Sequence, residues 1–169
     1  MKDRAGFTVA VLTLSDKAHA GTREDASGQA ARAIVEGRGY RVVFSAVLPD
    51  DLDAIRAELT RLCDEGAADL VLTTGGTGFS PRDVTPEATL AVAERLCPGI
   101  PEAMRLRSLA VTDRAMLSRA VAGIRKRTLI VNLPGSPKAV AECLEYVLEA
   151  VGHGLAVLTG RDPGECARR

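Results

Sequence analysis

The sequence predicts an α/β protein with an open, mostly parallel sheet and helices on both of its faces. Short apolar, branched runs, such as residues 7–14 and 128–133, have the character of strands that are covered on both sides. Segments of ten or more residues with apolar positions at helical spacing separate these runs. The length of 169 residues suits a single domain, with an ordered core from about residue 7 to residue 159.

The first part of the chain contains two strand–helix units. The strands are predicted at residues 7–14 and 40–48. Ser27 can cap the helix that follows the first strand, and one of the glycines at positions 37 and 39 ends it. Apolar residues at helical spacing predict the second helix over residues 52–65, before a stop at Gly66.

The third strand leads into the most informative segment of the chain. Residues 70–72 form a short apolar run that continues through Thr74 into Gly75-Gly76-Thr77-Gly78, the glycine turn. Glycines in this arrangement let backbone N–H groups approach a ligand closely. Thr85 as N-cap and Pro86 in the first position predict that a helix follows, reaching about Leu96.

The last part of the chain returns to the same pattern. Its predicted elements are, in order, a helix from Pro101 to Leu109, a short helical turn or loop at residues 115–120, a hairpin strand at 124–127, a strand at 128–133, and a long helix capped by Ser136. That last helix has the most regular helical period in the chain, up to Leu158. Residues 160–169 are polar and are predicted to be frayed.

Several loops are expected to meet at one edge of the sheet. Right-handed crossovers bring the carboxyl ends of parallel strands together, so the loops at residues 15–16, 49–50, 75–83 and 134–136 should converge. The glycine turn and Pro134-Gly135-Ser136 are both strand–turn–helix junctions, which favour anions. Plain packing is the alternative for one such junction, but two favour a ligand with two anionic ends. Neither the Walker nor the dinucleotide pattern is present.

Asp50 and Asp83 are the candidate catalytic carboxylates, since each follows a strand end and faces the same predicted edge. Two carboxylates near phosphates typically hold Mg²⁺, which bridges substrate oxygens. The alternative is that Asp50 or its neighbour Asp51 caps the following helix, and one of the two can do so while the other faces the cleft.

Three further residues have two interpretations each. Asp16 is a weaker third carboxylate candidate, or a cap for its loop. Arg82 can clamp a phosphate, or pair with Asp83 or Glu87. Phe79 can cover a planar ligand, or anchor the glycine turn.

Composition excludes other classes of function. Lys and Arg together balance Asp and Glu at 22 each, and three Phe and two Tyr are the only aromatic residues, so nucleic-acid binding is not expected. No apolar run has the length of a membrane helix, and the run at 7–14 is interpreted as a strand rather than a secretory signal. The four cysteines form no CxxC pair, which favours free thiols in a cytoplasmic protein over a zinc site.

Several motifs resemble one family closely. TTGGTGFSPRDVTPEAT at 73–89 is similar to the signature of the molybdopterin adenylyltransferases of molybdenum cofactor biosynthesis, relatives of the gephyrin G domain. MLSRAVAGIRKRTLIVNLPGSPKAVAECL at 116–144 resembles the family's second block. LTLSD at 12–16 and LPD at 48–50 also match, so the resemblance covers roughly residues 8–158.

The resemblance implies transfer of an adenylyl group from ATP to molybdopterin, with Mg²⁺ required and pyrophosphate released. It implies a homotrimer and a downstream molybdate-inserting enzyme as partner. By matching positions, Asp50 and Asp83 correspond to the essential acidic residues. The substrate-binding positions implied in the same way are Ser15, Asp16, Thr74, Gly75, Gly76, Thr77, Gly78, Arg82, Pro134, Gly135 and Ser136.

The sequence departs from the family pattern at one visible position, where Lys17 stands after Ser15-Asp16 in place of the usual arginine. Arginine and lysine differ at bidentate sites, so this loop's contribution is not transferred with the motif. A molybdopterin-binding carrier without catalysis is the alternative function, and the two carboxylates favour the enzyme. Hydrolysis of a nucleotide pyrophosphate is a further alternative, but no residue is identified that would activate water.

Overall fold

The computed structural model describes residues 6–161. In chain order the elements are β1 (Thr8–Leu14), α1 (Asp16–His19), α2 (Ala26–Gly37), β2 (Arg41–Leu48), α3 (Leu52–Asp64), β3 (Leu70–Thr74), α4 (Thr85–Val92), β4 (Arg95–Leu96), α5 (Gly99–Leu109), a 3₁₀ helix (Asp113–Leu117), β5 (Ala122–Arg125), β6 (Thr128–Leu133) and α6 (Pro137–Thr159). Every strand and every long helix that the sequence predicts is present.

The six strands form one sheet in the order β2-β1-β3-β6-β5-β4. The first four strands are parallel, whereas β5 runs antiparallel to β6 and β4 antiparallel to β5. The predicted fold class and the hairpin between β5 and β6 are therefore confirmed. The strand β4 is missing from the sequence-based prediction, which wrongly extended the preceding helix to Leu96. The helix α4 ends at Val92, and β4 pairs with the edge of the hairpin.

Alternate side chains along the strands enter two separate cores. In β1, Val9 and Val11 lie in the core beneath α2 and α6, while Ala10 and Leu12 lie in the opposite core beneath α3 and α4. All four side chains are completely buried. Helices on both faces are thus confirmed, and the near-continuous apolar character of β1 follows from burial on both sides.

Some helix starts differ from those predicted, for local chemical reasons. Asp25, not Ser27, caps α2 by accepting a hydrogen bond from the Gly28 amide. Val84 occupies the N-cap position of α4, because the Thr85 hydroxyl donates instead to the Gly75 carbonyl.

The starts of α5, α6 and α3 agree with the prediction to different degrees. The helix α5 begins after Pro98 rather than at the predicted Pro101. Ser136 caps α6 as predicted. Asp51 caps α3, so Asp50 is not needed as a cap and remains available to the cleft.

The expected fraying at the carboxyl end concerns residues that mostly lie outside the described part of the chain. Gly160 ends α6 in a left-handed conformation, and Arg161 pairs with Asp69 at 3.3 Å. Cys63 and Cys143 are buried free thiols, Cys97 is partly buried, and Cys166 lies outside the described residues. None of the helices within residues 6–161 combines the length and apolar character needed to cross a membrane.

Candidate active site at the carboxyl edge of the sheet

The loops that follow β1, β2, β3 and β6 meet around a polar cavity of about 250 Å³. Its lining includes Ser15, Asp50, Thr74, Gly75, Gly76, Asp83 and Gly135, together with the first residues of α2. This confirms the convergence predicted from the parallel topology. Asp16, Arg82 and Ser136, which were also expected at the cleft, are not among the residues that line this cavity.

Asp16 and Asp50 join the loops after β1 and β2. The Asp16 amide donates to Asp50 Oδ2, and the Asp50 amide donates to Asp16 Oδ1, both at 2.9 Å. Arg82, from the loop after β3, donates to both Asp16 oxygens, at 2.9 and 3.0 Å. Of the two interpretations of Arg82, the one that pairs it with Asp83 or Glu87 is therefore wrong. Because Arg82 and Asp16 satisfy each other, their arrangement positions Asp50.

The electrostatic environments of Asp16 and Asp50 differ. The hydrogen bond from Arg82 holds the pKa of Asp16 below its ordinary value. Burial raises the pKa of the Asp50 carboxyl, and the neighbouring negative charges of Asp16 and Asp83 act in the same direction. Asp50 and Asp83 are thus close enough to repel each other, which is the situation that a shared cation relieves.

Asp83 lies at the far end of the glycine turn from β3. Its Oδ2 accepts a hydrogen bond of 2.9 Å from the Ser80 amide, and a Cβ added to Gly78 would lie 2.9 Å from the same oxygen. Glycine at position 78 therefore leaves room for this carboxylate.

The glycine turn depends on its glycines for its own shape. Gly75 and Gly76 have positive φ angles of 97° and 65°. A Cβ at Gly75 would lie 2.4 Å from the Leu14 carbonyl oxygen, and one at Gly76 would lie 2.3 Å from Thr85 Oγ1. Packing and backbone conformation therefore both require glycine at these two positions, as the packing interpretation predicts.

The same turn also offers donors. Within the described residues, the amides of Gly76, Thr77 and Gly78 donate to no protein acceptor. The Thr77 side chain is 92% buried, since its relative exposure is 8%, and its hydroxyl forms no hydrogen bond with another described residue. Unsatisfied donors in a partly buried turn indicate a polar ligand.

The carboxylates fit a Mg²⁺ ion that also uses substrate and water oxygens. One oxygen of each carboxylate accepts a backbone amide, from Asp16 or from Ser80. Within residues 6–161, Oδ1 of Asp50 and Oδ1 of Asp83 have no hydrogen-bond partner, and no group of three or more His, Cys, Asp or Glu side chains forms a complete metal cage. Mg²⁺ commonly takes one or two carboxylates and completes its shell with water and phosphate.

A second cavity, of about 270 Å³, lies on the other side of the glycine turn. Thr77, Gly78 and Pro134 form its border with the turn, and its wall is mainly apolar, with Met104 and Ala120 buried beside it. The two cavities are separated by the glycine turn and by the backbone at residues 134–135. These two backbone segments are joined by a hydrogen bond of 2.7 Å from Thr74 Oγ1 to the Pro134 carbonyl. The two cavities therefore differ in character, one polar and the other mainly apolar.

Other predicted site residues have local structural roles. Ser15 caps the short helix α1, and Ser136 caps α6. Phe79 is 70% exposed, so it does not anchor the turn, and it lines neither cavity.

Sequence reasoning missed two contributors. Asp25, the cap of α2, lies on the polar cavity and accepts from the Thr13 hydroxyl at 2.8 Å. A cap signal at position 25 would have found it. Arg119 contacts the glycine turn from a distant segment, and no local pattern marks that contact.

Comparisons with known proteins agree with this architecture. A family model described as a probable molybdopterin binding domain matches residues 10–153. The molybdopterin adenylyltransferase of Helicobacter pylori (strain ATCC 700392 / 26695) is 42% identical over 154 residues, covering 90% of this chain and 88% of that protein. Gephyrin of Dictyostelium discoideum is 39% identical over 170 residues, covering 95% of this chain and 24% of that protein.

A solved structure extends the likeness to three dimensions. The molybdopterin biosynthesis enzyme MoaB from Thermus thermophilus matches with a TM-score of 0.87 and 46% identity. The match covers 92% of this chain and 98% of that chain.

Proposed function

The chain belongs to the molybdopterin-binding domain family, as its motifs predicted, and we propose that it transfers the adenylyl group of ATP to molybdopterin. In this reaction an oxygen of the terminal phosphate of molybdopterin attacks the α-phosphorus of ATP. A new P–O bond forms, the bond to the bridging oxygen breaks, and pyrophosphate leaves. The products are adenylyl-molybdopterin and pyrophosphate.

The observation that carries this proposal is that the glycine turn lies between two cavities of different character, with Asp50 and Asp83 lining the polar one. A transfer between two phosphate-bearing substrates needs two compartments that meet at the reacting phosphates. The unpaired amides of residues 76–78 lie at the meeting point, where they can hold an oxyanion without reorganisation. The buried Thr77 hydroxyl can donate to the substrate in the apolar cavity.

Each carboxylate is held by a backbone amide, which fixes its orientation before substrates bind. Asp16 and Arg82 act indirectly, because their contacts set the position of Asp50. Mg²⁺ bound to Asp50 and Asp83 would offset the repulsion between the two phosphates and stabilise departing pyrophosphate.

The alternative is a carrier that binds molybdopterin and catalyses nothing. A carrier needs the glycine turn, whereas it gains nothing from a partly buried carboxylate whose pKa is raised beside a second carboxylate. This electrostatic cost favours the enzyme.

The test is incubation of the chain with molybdopterin, ATP and Mg²⁺, followed by mass detection of adenylyl-molybdopterin. Reactions without Mg²⁺ and with the Asp83→Asn variant serve as controls. Product in the complete reaction alone supports the transferase. Molybdopterin binding without product under any condition supports the carrier.

Assembly as a homotrimer is part of the same proposal. Leu106 and Leu109 of α5 are 71% and 43% exposed, and Tyr146 of α6 is 52% exposed. A groove of about 570 Å³ with Ile100 and Tyr146 in its lining lies beside them. Apolar exposure of this kind is characteristic of a subunit contact. We also assign the chain to the cytoplasm, with a molybdate-inserting enzyme as the acceptor of its product.

A further inference from the structure

Arg119 joins both ends of the segment that carries the glycine turn and Asp83. Its Nε donates to the Gly78 carbonyl at 2.7 Å, and a terminal nitrogen donates to the Asp83 carbonyl at 2.5 Å. The other terminal nitrogen pairs with Glu87 of α4. The backbone amide of Arg119 donates to the Thr77 carbonyl at 2.9 Å. One residue therefore holds three carbonyls of this segment and the helix that follows it.

These contacts orient the peptide groups of the turn. In a planar trans peptide the C=O and the N–H of the next residue point in opposite directions. Because Arg119 holds the Thr77 carbonyl, the Gly78 N–H points away from residue 119. In the same way, the hold of the Arg119 side chain on the Gly78 carbonyl makes the Phe79 N–H point away from residue 119. Of the amides left without protein partners, residue 119 therefore directs that of Gly78 through its backbone and that of Phe79 through its side chain.

Arg119 is not itself placed to bind substrate. Its neighbours Ser118 and Ala120 line the apolar cavity, but Arg119 lines neither cavity beside the turn. Its guanidinium is engaged with two backbone carbonyls and a carboxylate. The guanidinium, a planar fork, contacts these acceptors through three different nitrogens, whereas a lysine ammonium carries all its donors on one nitrogen.

We propose that Arg119 is a positioning residue for adenylyl transfer, which holds residues 77–83 so that Asp83 and the amides of Gly78 and Phe79 meet the reacting phosphates. The expected effect of Arg119 on the reaction rate rests on the proposed function. The structural part of the inference, the anchoring of the segment, stands independently of that function. A displacement of about 1 Å at a reacting centre can cost about 100-fold in rate.

The experiment compares Arg119→Ala and Arg119→Lys with Arg125→Ala. Arg125 is a matched control, because it also joins a carboxylate, Asp64, and a backbone carbonyl, that of Val92, but at a distance from the site. For both Arg119 variants we expect kcat to fall about 10- to 100-fold with KM for molybdopterin changed only several-fold. The Mg²⁺ concentration for half-maximal rate should rise, since Asp83 is no longer held in place. Arg125→Ala should keep the wild-type kcat.

Hydrogen–deuterium exchange provides the readout that does not depend on activity. Exchange over residues 80–85, where the amides of Ser80, Asp83 and Thr85 are hydrogen-bonded, should accelerate in Arg119→Ala and stay at the wild-type rate in Arg125→Ala. Unchanged exchange in Arg119→Ala overturns the anchoring role whether or not the wild type makes product. Faster exchange with wild-type kcat, in an active enzyme, overturns the kinetic role. Full activity in Arg119→Lys shows that charge alone suffices, and it contradicts the requirement for a fork.

Faster exchange in Arg119→Ala with no adenylyl product from the wild type would support the anchor and remove the proposed reaction. The two failures are therefore distinguishable.

Discussion

Replacing Asp50 or Asp83 by asparagine separates catalysis from binding in this site. The exchange is nearly isosteric, and the amide oxygen can still accept the backbone hydrogen bond from Asp16 or Ser80. Only the negative charge and one potential metal-binding oxygen are lost. The glycine turn, with its unpaired amides, remains in place.

The expected loss follows from where the charge acts. A carboxylate that holds Mg²⁺ between two phosphates stabilises the transition state more than the bound substrate. Removing one such stabilising group costs about 100-fold or more in turnover, or about 2.7 kcal/mol at 1.36 kcal/mol per tenfold. We therefore expect Asp50→Asn and Asp83→Asn each to lower kcat by at least about 100-fold. Molybdopterin affinity should change by no more than several-fold.

Stability should move in the opposite direction from activity in Asp50→Asn. Burial raises the pKa of the Asp50 carboxyl, so its ionised form opposes folding at neutral pH. The variant should melt at the wild-type temperature or above it. A loss of activity in this variant is therefore not explained by unfolding.

Asp51→Asn is the matched control. Asp51 is exposed and caps α3 through the Ala54 amide, and asparagine is an equally good cap. Steady-state kinetics of product formation and equilibrium binding of molybdopterin are measured on all three variants. Turnover near wild type in Asp50→Asn or Asp83→Asn would falsify the metal-bridging role of that residue. Lost binding without a separate catalytic defect would favour the carrier.

Three other predictions concern the turn, the surface charges and the assembly. Gly76→Val should lower both the molybdopterin affinity and the melting temperature, because the added Cβ would clash with Thr85. Gly154→Ala, where the added Cβ lies in open space on α6, should retain the wild-type affinity. Equal affinity in the two variants would show that the glycine turn serves packing only. Hydrogen bonds from Arg125 and Lys126 lower the pKa of Asp64 from 3.8 to about 2. Asp64→Asn should therefore lower the melting temperature at pH 7, where the carboxylate is ionised, and much less at pH 2. An equal loss of melting temperature at pH 2 would contradict the stabilising role of the ionised Asp64. Light scattering at micromolar concentration should give a trimer mass, and a monomer throughout would count against the exposed α5 surface as a subunit contact.

The sequence predicts the fold well because its strands are buried on both faces. Such strands give continuous apolar runs, and β1 and β6 stand out for that reason. The two-residue strand β4 has no such signal, since both of its residues are exposed and its pairing depends on the hairpin beside it. A helical interpretation of residues 93–96 was therefore favoured wrongly.

Residues of the site were predictable where backbone topology alone places them. Asp50 and Asp83 follow strand ends, so the parallel sheet brings them together. Side-chain partners were not predictable in this way. Arg82 reaches Asp16 across 66 positions, and Arg119 reaches Gly78 across 41. Local charge spacing favours nearer partners, such as Glu87 for Arg82, and it carries no information about which loop lies opposite.

The reciprocal hydrogen bonds between Asp16 and Asp50 also bear on how the protein folds. They join residues 34 positions apart, and the Arg82 contacts to Asp16 span 66. The Asp16–Asp50 bonds require β1 and β2 to be paired, and the Arg82 contacts require β3 to lie beside β1 as well. Pairing of strands that are far apart in the sequence is slow compared with helix formation. During refolding, the ability to bind nucleotide should therefore arise after most of the helical signal has recovered, because the contacts that hold the carboxylates form only once the strands have paired.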